Sequence, residues 1–327
     1  ISSQFACYLV SHPVAYGPLK LRRREKLPMT TATWQELLRD DARTMVMGII
    51  NATPDSFSGD GIYAESETVS AAVALAEAQI TAGADILDIG GESTRPGSDI
   101  IDAHTEKSRI LPVIEEIKGR HPDVALSVDT YRAEVAAAAL DRGADIINDV
   151  WAARADPDMA SVMAERGVPV VLMHNRSRPN AILSEGRIGG EYIGAEYSHV
   201  VDDVIAELAQ LVDELLAAKV ARGQIALDPG IGFGKTVDQN LALLRHLDIL
   251  KASLDLPFLI GTSRKSFIGR ILDLPVEDRL EGTAATVAAG ILQGADIVRV
   301  HDVREMIRVV RVIDRLKVVL PNGEVAG

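Results

Sequence analysis

AGADILDIG (82–90), RGADIINDV (142–150) and QGADIVRVH (293–301) follow one pattern. Each has Gly-Ala-Asp, then an apolar run, with a polar residue five positions after the glycine: Asp88, Asn148 and Arg299. The glycine reads as the C-terminal cap of a helix and the run after it as the next strand. Helix, tight turn and strand make up half of a βαβ unit. Similar turns converging on similar residues explain the repeat better than a recent duplication. The informative feature is the polar residue at the far end of each strand.

The same rhythm runs outward from these three stretches, beginning at Met45. Apolar runs MVMGII, ADILDI, VALSV, ADII, VPVVLM, QIAL, FLIG and ADIVRV alternate with stretches of helical period such as SETVSAAVALAEAQITAG, HTEKSRILPVIEEIKGR and REMIRVVRVIDRLKVV. Short strands alternating with helices predict right-handed βαβ units and a parallel sheet. Eight such runs fit a single α/β domain folded as an eight-stranded (β/α)8 TIM barrel, with mobile βα loops on its C-terminal face. A doubly wound open sheet shares the alternation and is the alternative. The expected division is an N-terminal lead over 1–44, the barrel over 45–318 and a tail over 319–327. Within the lead, TTATWQELLRDD (30–41) predicts a short helix. Residues 1–28 have no period and are expected to lie outside the fold. The rival reading is a targeting peptide, but the segment lacks a clean apolar stretch with a small-residue cleavage site.

Composition agrees with a barrel. The chain has 327 residues, 47% hydrophobic but only 4% aromatic, so its core is aliphatic, as parallel α/β cores are. The formal charge is -13, which disfavours nucleic acid as a partner. Residues 1–28 carry five Lys/Arg against one Glu, net +4, so the remainder carries -17. The single cysteine, Cys7, rules out an internal disulfide framework and a cysteine zinc site. No apolar run reaches the roughly 18–20 residues that span a bilayer. The expectation is a cytoplasmic enzyme without a membrane partner.

The polar residues at or just past the strand ends are Asn51, Asp88, Asp129, Asn148, His174, Asp228, Ser263 with Lys265, and Arg299 with His301. In a (β/α)8 barrel these ends converge on the face that carries the active site. Any one of them could instead cap a helix or satisfy loop backbone; all eight strands ending this way favours a site. The mixture of anionic, neutral and cationic groups suits a ligand with hydrogen-bonding edges and negative charge. The loops NATPDSFSGDG (51–61) and GGESTRPGS (90–98) are rich in turn formers and read as closable over a substrate. DPGIGFGK (228–235) has three glycines but not the GxxxxGK[ST] spacing of a nucleotide loop. GTSRKS (261–266) offers Arg264 and Lys265 side by side.

GIINATPDSFS, DIGGESTRPGS, SVDT, IINDV, DPGIGFGKT, GTSRKSFIG and GADIVRVHDV, in this order and spacing, resemble the dihydropteroate synthase family of pterin-binding enzymes. The resemblance covers roughly residues 45–318. It implies a (β/α)8 fold and a reaction of folate biosynthesis. In that reaction p-aminobenzoate attacks the exocyclic methylene of 6-hydroxymethyl-7,8-dihydropterin pyrophosphate, giving 7,8-dihydropteroate and pyrophosphate. It implies that Asp129, Asn148 and Asp228 hold the pterin, with Lys265 near its carbonyl and ring nitrogen and Met173 and Phe233 against its faces. For Met173 and Phe233, ordinary core packing is the simpler reading of the sequence alone. Asn51, Thr94, Arg299 and His301 would hold the pyrophosphate, Asn51 as a hard oxygen ligand for Mg²⁺. Pro54, Phe57, Thr94, Arg95, Pro96 and Ser266 would hold p-aminobenzoate. Asp129, Lys265, Arg299 and His301 are the expected catalytic residues. Sulfonamide inhibition and a homodimer are further implications, with the helix near 303–318 as a candidate interface.

The chemistry suits these residue types. A pterin edge resembles that of guanine, and carboxylates and amides match its paired donors and acceptors. An Arg fork suits phosphate oxygens. Departure of pyrophosphate after C–O cleavage, with Asp129 stabilising a pterin cation, is the favoured route; direct displacement remains open. Two departures are evident. The first loop reads SFSGDG where the family pattern is SFSDGG, which displaces a carboxylate. After the fifth strand the chain reads LMHNRSRPNA rather than LMHMQG, and a long loop follows over 175–196. A pterin-dependent methyltransferase domain would lack the TPDSFS and STRPG loops. A non-catalytic homologue would not need Asn51, Asp129, Lys265, Arg299 and His301 together.

Overall fold

The computed structural model describes residues 30–38, 43–53, 65–92, 100–176 and 196–318. Residues 1–28 and the tail from 319 lie outside the described residues. A short helix, α1 (Thr31–Leu38), precedes eight strands: β1 (Met45–Asn51), β2 (Ile86–Gly90), β3 (Ala125–Asp129), β4 (Ile146–Asp149), β5 (Val170–Met173), β6 (Ile225–Asp228), β7 (Leu259–Ile260) and β8 (Ile297–Val300). Between and after them run α2 (Glu65–Ala82), α3 (Ala103–Arg120), α4 (Ala133–Asp141), α5 (Met159–Arg166), α6 (Val200–Ala217), α7 (Val237–Arg245), α8 (Leu247–Leu254), α9 (Ser266–Leu272), α10 (Leu280–Leu292) and α11 (Val303–Lys317). The strands pair in parallel in the order β6-β5-β4-β3-β2-β1-β8-β7. A parallel bridge between Leu227 and Phe258, with Leu227 N donating to Pro257 O at 2.8 Å, joins the two edges. The fold is therefore the barrel, nearly closed, and not the open sheet.

Alternation along each strand separates two kinds of surface. Leu87, Leu126, Ile147, Leu172, Leu227 and Val298 face outward into the main core against the helices. Met47, Ile86, Ala125, Ile146, Val171, Ala226, Leu259 and Ile297, one from each strand, face inward and form a separate apolar layer. Trp34 of α1 is fully buried in that inner layer. The predicted short helix is thus the plug of the barrel's N-terminal end. It carries its largest side chain into the space that the eight strands enclose.

The three Gly-Ala-Asp turns have a shared physical reason. Gly83, Gly143 and Gly294 have φ of +106°, +103° and +96°, a conformation that side chains rarely adopt. Each glycine ends a helix and drops the following aspartate beneath the neighbouring strand. Asp85 accepts from Val46 N at 2.9 Å, Asp145 from Leu126 N at 2.9 Å, and Asp296 from Phe258 N at 2.8 Å. A cation pairs with each: Arg43 with Asp85, Lys118 with Asp145 at 2.7 Å, and Lys251 with Asp296 at 2.6 Å. The repeat stitches adjacent strands together at the end opposite the predicted site.

Truncating Trp34→Ala is expected to cost about 3–5 kcal/mol in urea unfolding, the usual range for a buried Trp. Trp34→Phe should cost less, because the buried indole N–H has no partner among the described residues. Steady-state KM values should be unchanged in both, since the plug lies at the far end of the barrel. A loss of stability below 1 kcal/mol for Trp34→Ala would contradict its role.

Candidate active site

One step of two residues beyond the apolar inner layer, most inward side chains become polar, with Met173 on β5 and Ile49 on β1 remaining apolar. Ile86 is followed by Asp88, Ala125 by Ser127, Ile146 by Asn148, Val171 by Met173, Ala226 by Asp228 and Ile297 by Arg299. A further step reaches Asn51, Asp129, Ser263 and His301. The alternation that builds the plugged end therefore also builds the open one.

Arg299 lies at the centre. Its Nε donates to Asp88 at 2.6 Å and its Nη2 to Asp129 at 2.6 Å. Asn148 Nδ2 donates to the same Asp88 oxygen at 2.9 Å. Burial pushes Asp129 up to about 7, with Arg299 pulling it down and Asp88, Glu106 and Asp149 pushing it further up. Asp228 is buried and raised by desolvation, while a 2.7 Å bond from Gly230 N and the charges of Lys265, Lys235 and Arg299 oppose the shift. Lys265 is pulled down to about 8, chiefly by desolvation. Its Nζ lies 3.8 Å from the centroid of the Phe233 ring, within cation–π range.

Met173, Val150 and Trp151 form a small buried apolar group, with Tyr131 and Phe233 packed against it. The ring of Tyr131 meets Trp151 edge-on at 4.7 Å. Met173 is therefore well packed, in a group separate from both barrel cores. Asp149 supports this group from outside the barrel wall. It accepts from Trp151 N at 2.8 Å and Ala153 N at 2.7 Å, and burial pushes it up to about 6.

The glycine-rich segment after β6 folds around its own lysine. Lys235 Nζ donates to Gly230 O at 3.0 Å and Phe233 O at 3.1 Å. Gly230 N donates to Asp228, Gly232 N to Asn240 Oδ1 at 2.7 Å, and Phe233 N to Gly230 O at 3.1 Å. Three backbone donors that a phosphate loop would present are used internally. Gly232, at φ +84°, leaves room for Lys265: a Cβ there would come 2.7 Å from Lys265 Cδ.

The adjacent cations after β7 part company. Lys265 turns to Phe233, whereas Arg264, at φ +58°, forms a two-pronged pair with Asp302. Ser263 Oγ accepts from His301 N at 3.2 Å and lies 3.0 Å from His301 Nδ1. Ser266 is exposed at the first turn of α9. Of the expected site residues, Asn51, Asp129, Asn148, Met173, Asp228, Phe233, Lys265, Ser266, Arg299 and His301 are described and lie at strand ends or just beyond them. Pro54, Phe57, Thr94, Arg95 and Pro96 lie outside the described residues, as does most of the 175–196 loop. Tyr131, Trp151 and Lys235 did not stand out in the sequence. For the first two, a signal existed: aromatic residues just past β3 and β4 in a chain poor in aromatics.

A further cluster sits behind this face. Arg132 donates to Glu92 at 2.5 Å, to Ile101 O at 2.6 Å and to Tyr131 OH at 2.6 Å, and pairs also with Glu106. Among the described residues, no three acidic, histidine or cysteine side chains converge to hold a metal ion, and no helix is long and apolar enough to cross a membrane.

Residues 47–301 match the family of pterin binding enzymes. The chain is 47% identical over 274 residues to a dihydropteroate synthase of Bacillus subtilis, covering 84% of this chain and 89% of that one. It is similar to the solved dihydropteroate synthase of Xanthomonas albilineans with 4-aminobenzoic acid, at TM-score 0.76 and 38% identity, covering 85% and 94% of the two chains. It is also similar to the Yersinia pestis dihydropteroate synthase in a sulfonamide drug complex, at TM-score 0.75 and 37% identity, covering 85% and 96%.

The shared guanidinium and the desolvated carboxylates have a consequence in the free chain. Carboxyl ¹³C NMR should show an aspartate titrating near pH 7 that disappears in Asp129→Asn. Titration of every aspartate below pH 5 would contradict the burial that sets this site.

Proposed function

The chain belongs to the pterin binding enzyme family and is a transferase of folate biosynthesis with dihydropteroate synthase activity, and we propose that the polar strand ends carry the reaction as follows. The supporting observation is the step from apolar to polar on the inward face, which brings Asp88, Asp129, Asn148, Asp228 and Arg299 together above a sealed floor.

Asp129, Asn148 and Asp228 hold the hydrogen-bonding edges of the pterin. Asp129 and Asp228 accept ring N–H groups, and the Asn148 amide both donates and accepts. Lys265 donates toward the ring carbonyl and nitrogen. Its place over Phe233 and the packing of Met173 support two apolar faces between which a flat ring inserts. Arg299, His301, Asn51 and Thr94 take the pyrophosphate. Ser263 Oγ accepts from the His301 backbone N–H and lies 3.0 Å from Nδ1, and in this reading its hydroxyl hydrogen is assigned to Nδ1. His301 then carries its proton on Nε2 and donates it to an anion.

Mg²⁺ fits this donor set. An ion that keeps most of its waters and binds phosphate oxygens needs few protein ligands. The amide oxygen of Asn51, at the inward end of β1, is a hard donor of the right kind. When bound, the ion would neutralise charge on the departing pyrophosphate. The pterin C–O bond breaks first, and ionised Asp129 stabilises the cationic ring in a desolvated pocket. The neutral p-aminobenzoate nitrogen then bonds to the exocyclic methylene carbon, and the proton it sheds goes to the released pyrophosphate or to water, so no strong base is needed. The other end of p-aminobenzoate lies near Ser266, with Pro54, Phe57, Thr94, Arg95 and Pro96 supplied by the first two loops. We place the enzyme in the cytoplasm as a homodimer. The exposed Val312 and Leu316 on α11 support that helix as an interface.

Incubating the chain with 6-hydroxymethyl-7,8-dihydropterin pyrophosphate, p-aminobenzoate and Mg²⁺ should yield dihydropteroate and pyrophosphate in equal amounts, with EDTA abolishing turnover. Pyrophosphate release without dihydropteroate would overturn the reading. Ser266→Arg should raise KM for p-aminobenzoate at least tenfold and leave KM for the pterin substrate unchanged. An unchanged p-aminobenzoate KM would remove Ser266 from that site.

A further inference from the structure

Asp88 is fully buried on β2, two residues before the strand's end at Gly90. That depth keeps it from a ligand entering at the mouth. Yet its Oδ2 alone accepts from both Arg299 Nε at 2.6 Å and Asn148 Nδ2 at 2.9 Å. These are two of the residues read above as holding pyrophosphate and pterin. We propose that Asp88 is the fixed counter-ion of Arg299 and a positioning residue that orients both the Arg299 guanidinium and the Asn148 amide. The inference rests on the reading of the pocket given above and adds to it a residue with no substrate contact of its own.

Three features support it. Nε is the guanidinium nitrogen nearest the stem, so a bond there and another at Nη2 fix the plane of the fork. Nη1 and one N–H of Nη2 then remain for phosphate oxygens. A terminal amide can turn end for end at little cost unless a neighbour tells its two ends apart. Asp88 is an obligate acceptor, so it takes the Nδ2 end and turns the Asn148 oxygen away from itself. Finally, the two carboxylates on Arg299 are not equivalent. Asp88 has no exposed side-chain area, whereas Asp129 is 12% exposed. The Asp129 bond is the one that can be exchanged for a ligand while Asp88 keeps the buried guanidinium compensated.

Asp88→Asn preserves shape and removes the charge. It is expected to weaken binding of the pterin substrate and of pyrophosphate at least tenfold, with far-UV circular dichroism unchanged. The pyrophosphate loss should vanish when the same change is made on an Arg299→Gln background. A pH readout separates positioning from simple support. The charges that bear on Asp129 are Arg299 from β8, Asp88 from β2, Glu106 from α3, Asp149 from β4, and Lys265. Neutralising Asp88 removes one repulsion and leaves Arg299 wholly to Asp129. The acid limb of kcat/KM should then move to lower pH. Native binding of both ligands by Asp88→Asn would overturn the proposal. So would a uniform loss with an unmoved acid limb and a full additional loss on the Arg299→Gln background. If Asp88→Asn does not fold, Asp88→Ser, whose hydroxyl can accept from Nε, carries the same cycle with the same outcomes. A native chain that binds pterin pyrophosphate without turning it over would refute the reaction and leave this binding test intact.

Discussion

A guanidinium inside a barrel is tolerable only if carboxylates meet it there, and Arg299 meets two, Asp88 and Asp129. Taking such charges out of water costs several kcal/mol each unless geometry and hydrogen bonding compensate. The rest of the site follows from that constraint. The layer below is wholly apolar and sealed by Trp34, so the charges have nowhere to go but toward the mouth. Asp129 bears the cost as a carboxyl held near neutrality, and Lys265 as an ammonium brought toward neutrality. Groups poised in this way are what proton-balanced, charge-developing chemistry uses.

The two ends of the barrel divide the work. At the plugged end, three aspartates of the Gly-Ala-Asp turns hold neighbouring strands through backbone N–H groups and pair with Arg43, Lys118 and Lys251. Charge-assisted bonds of this kind contribute about 1.5–3 kcal/mol each. At the open end, polar groups bond chiefly to one another and leave surplus donors and acceptors. The chain's large negative charge is compatible with anionic substrates because positive groups gather locally at this end. Lys265, Arg299 and His301 come from two adjacent strands, β7 and β8, and the turns that follow them.

Much of this was legible in the sequence, because period-2 alternation is local. Once each strand is placed, Asp129, Asn148, Asp228 and Arg299 fall inward by counting. What was not legible depends on three-dimensional pairing. Asp88 and Arg299 are 211 positions apart, and nothing in either segment names the other. Barrel closure rests on the two-residue β7 and a single bridge, too little for any pattern to reveal. Arg264 and Lys265 read as a pair of equivalent cations. A left-handed backbone at Arg264 sends one to Asp302 and the other to Phe233. The three glycines of DPGIGFGK do not reveal what their backbone serves. The N–H groups of Gly230 and Gly232 bond to Asp228 and Asn240, and Lys235 donates back to the Gly230 and Phe233 carbonyls, so the segment folds on itself. The helix over 30–41 was visible as a helix, but not as the plug that Trp34 makes of it.

If the polar inward layer is where the pterin lies, a crystal structure of the chain with 6-hydroxymethylpterin should show it there. The flat ring should lie between Met173 and Phe233, with its N–H edge within hydrogen-bond distance of Asp129, Asn148 and Asp228 and with Arg299 still bonded to Asp88. A ring bound elsewhere, or in the pocket with these side chains untouched, would contradict that placement.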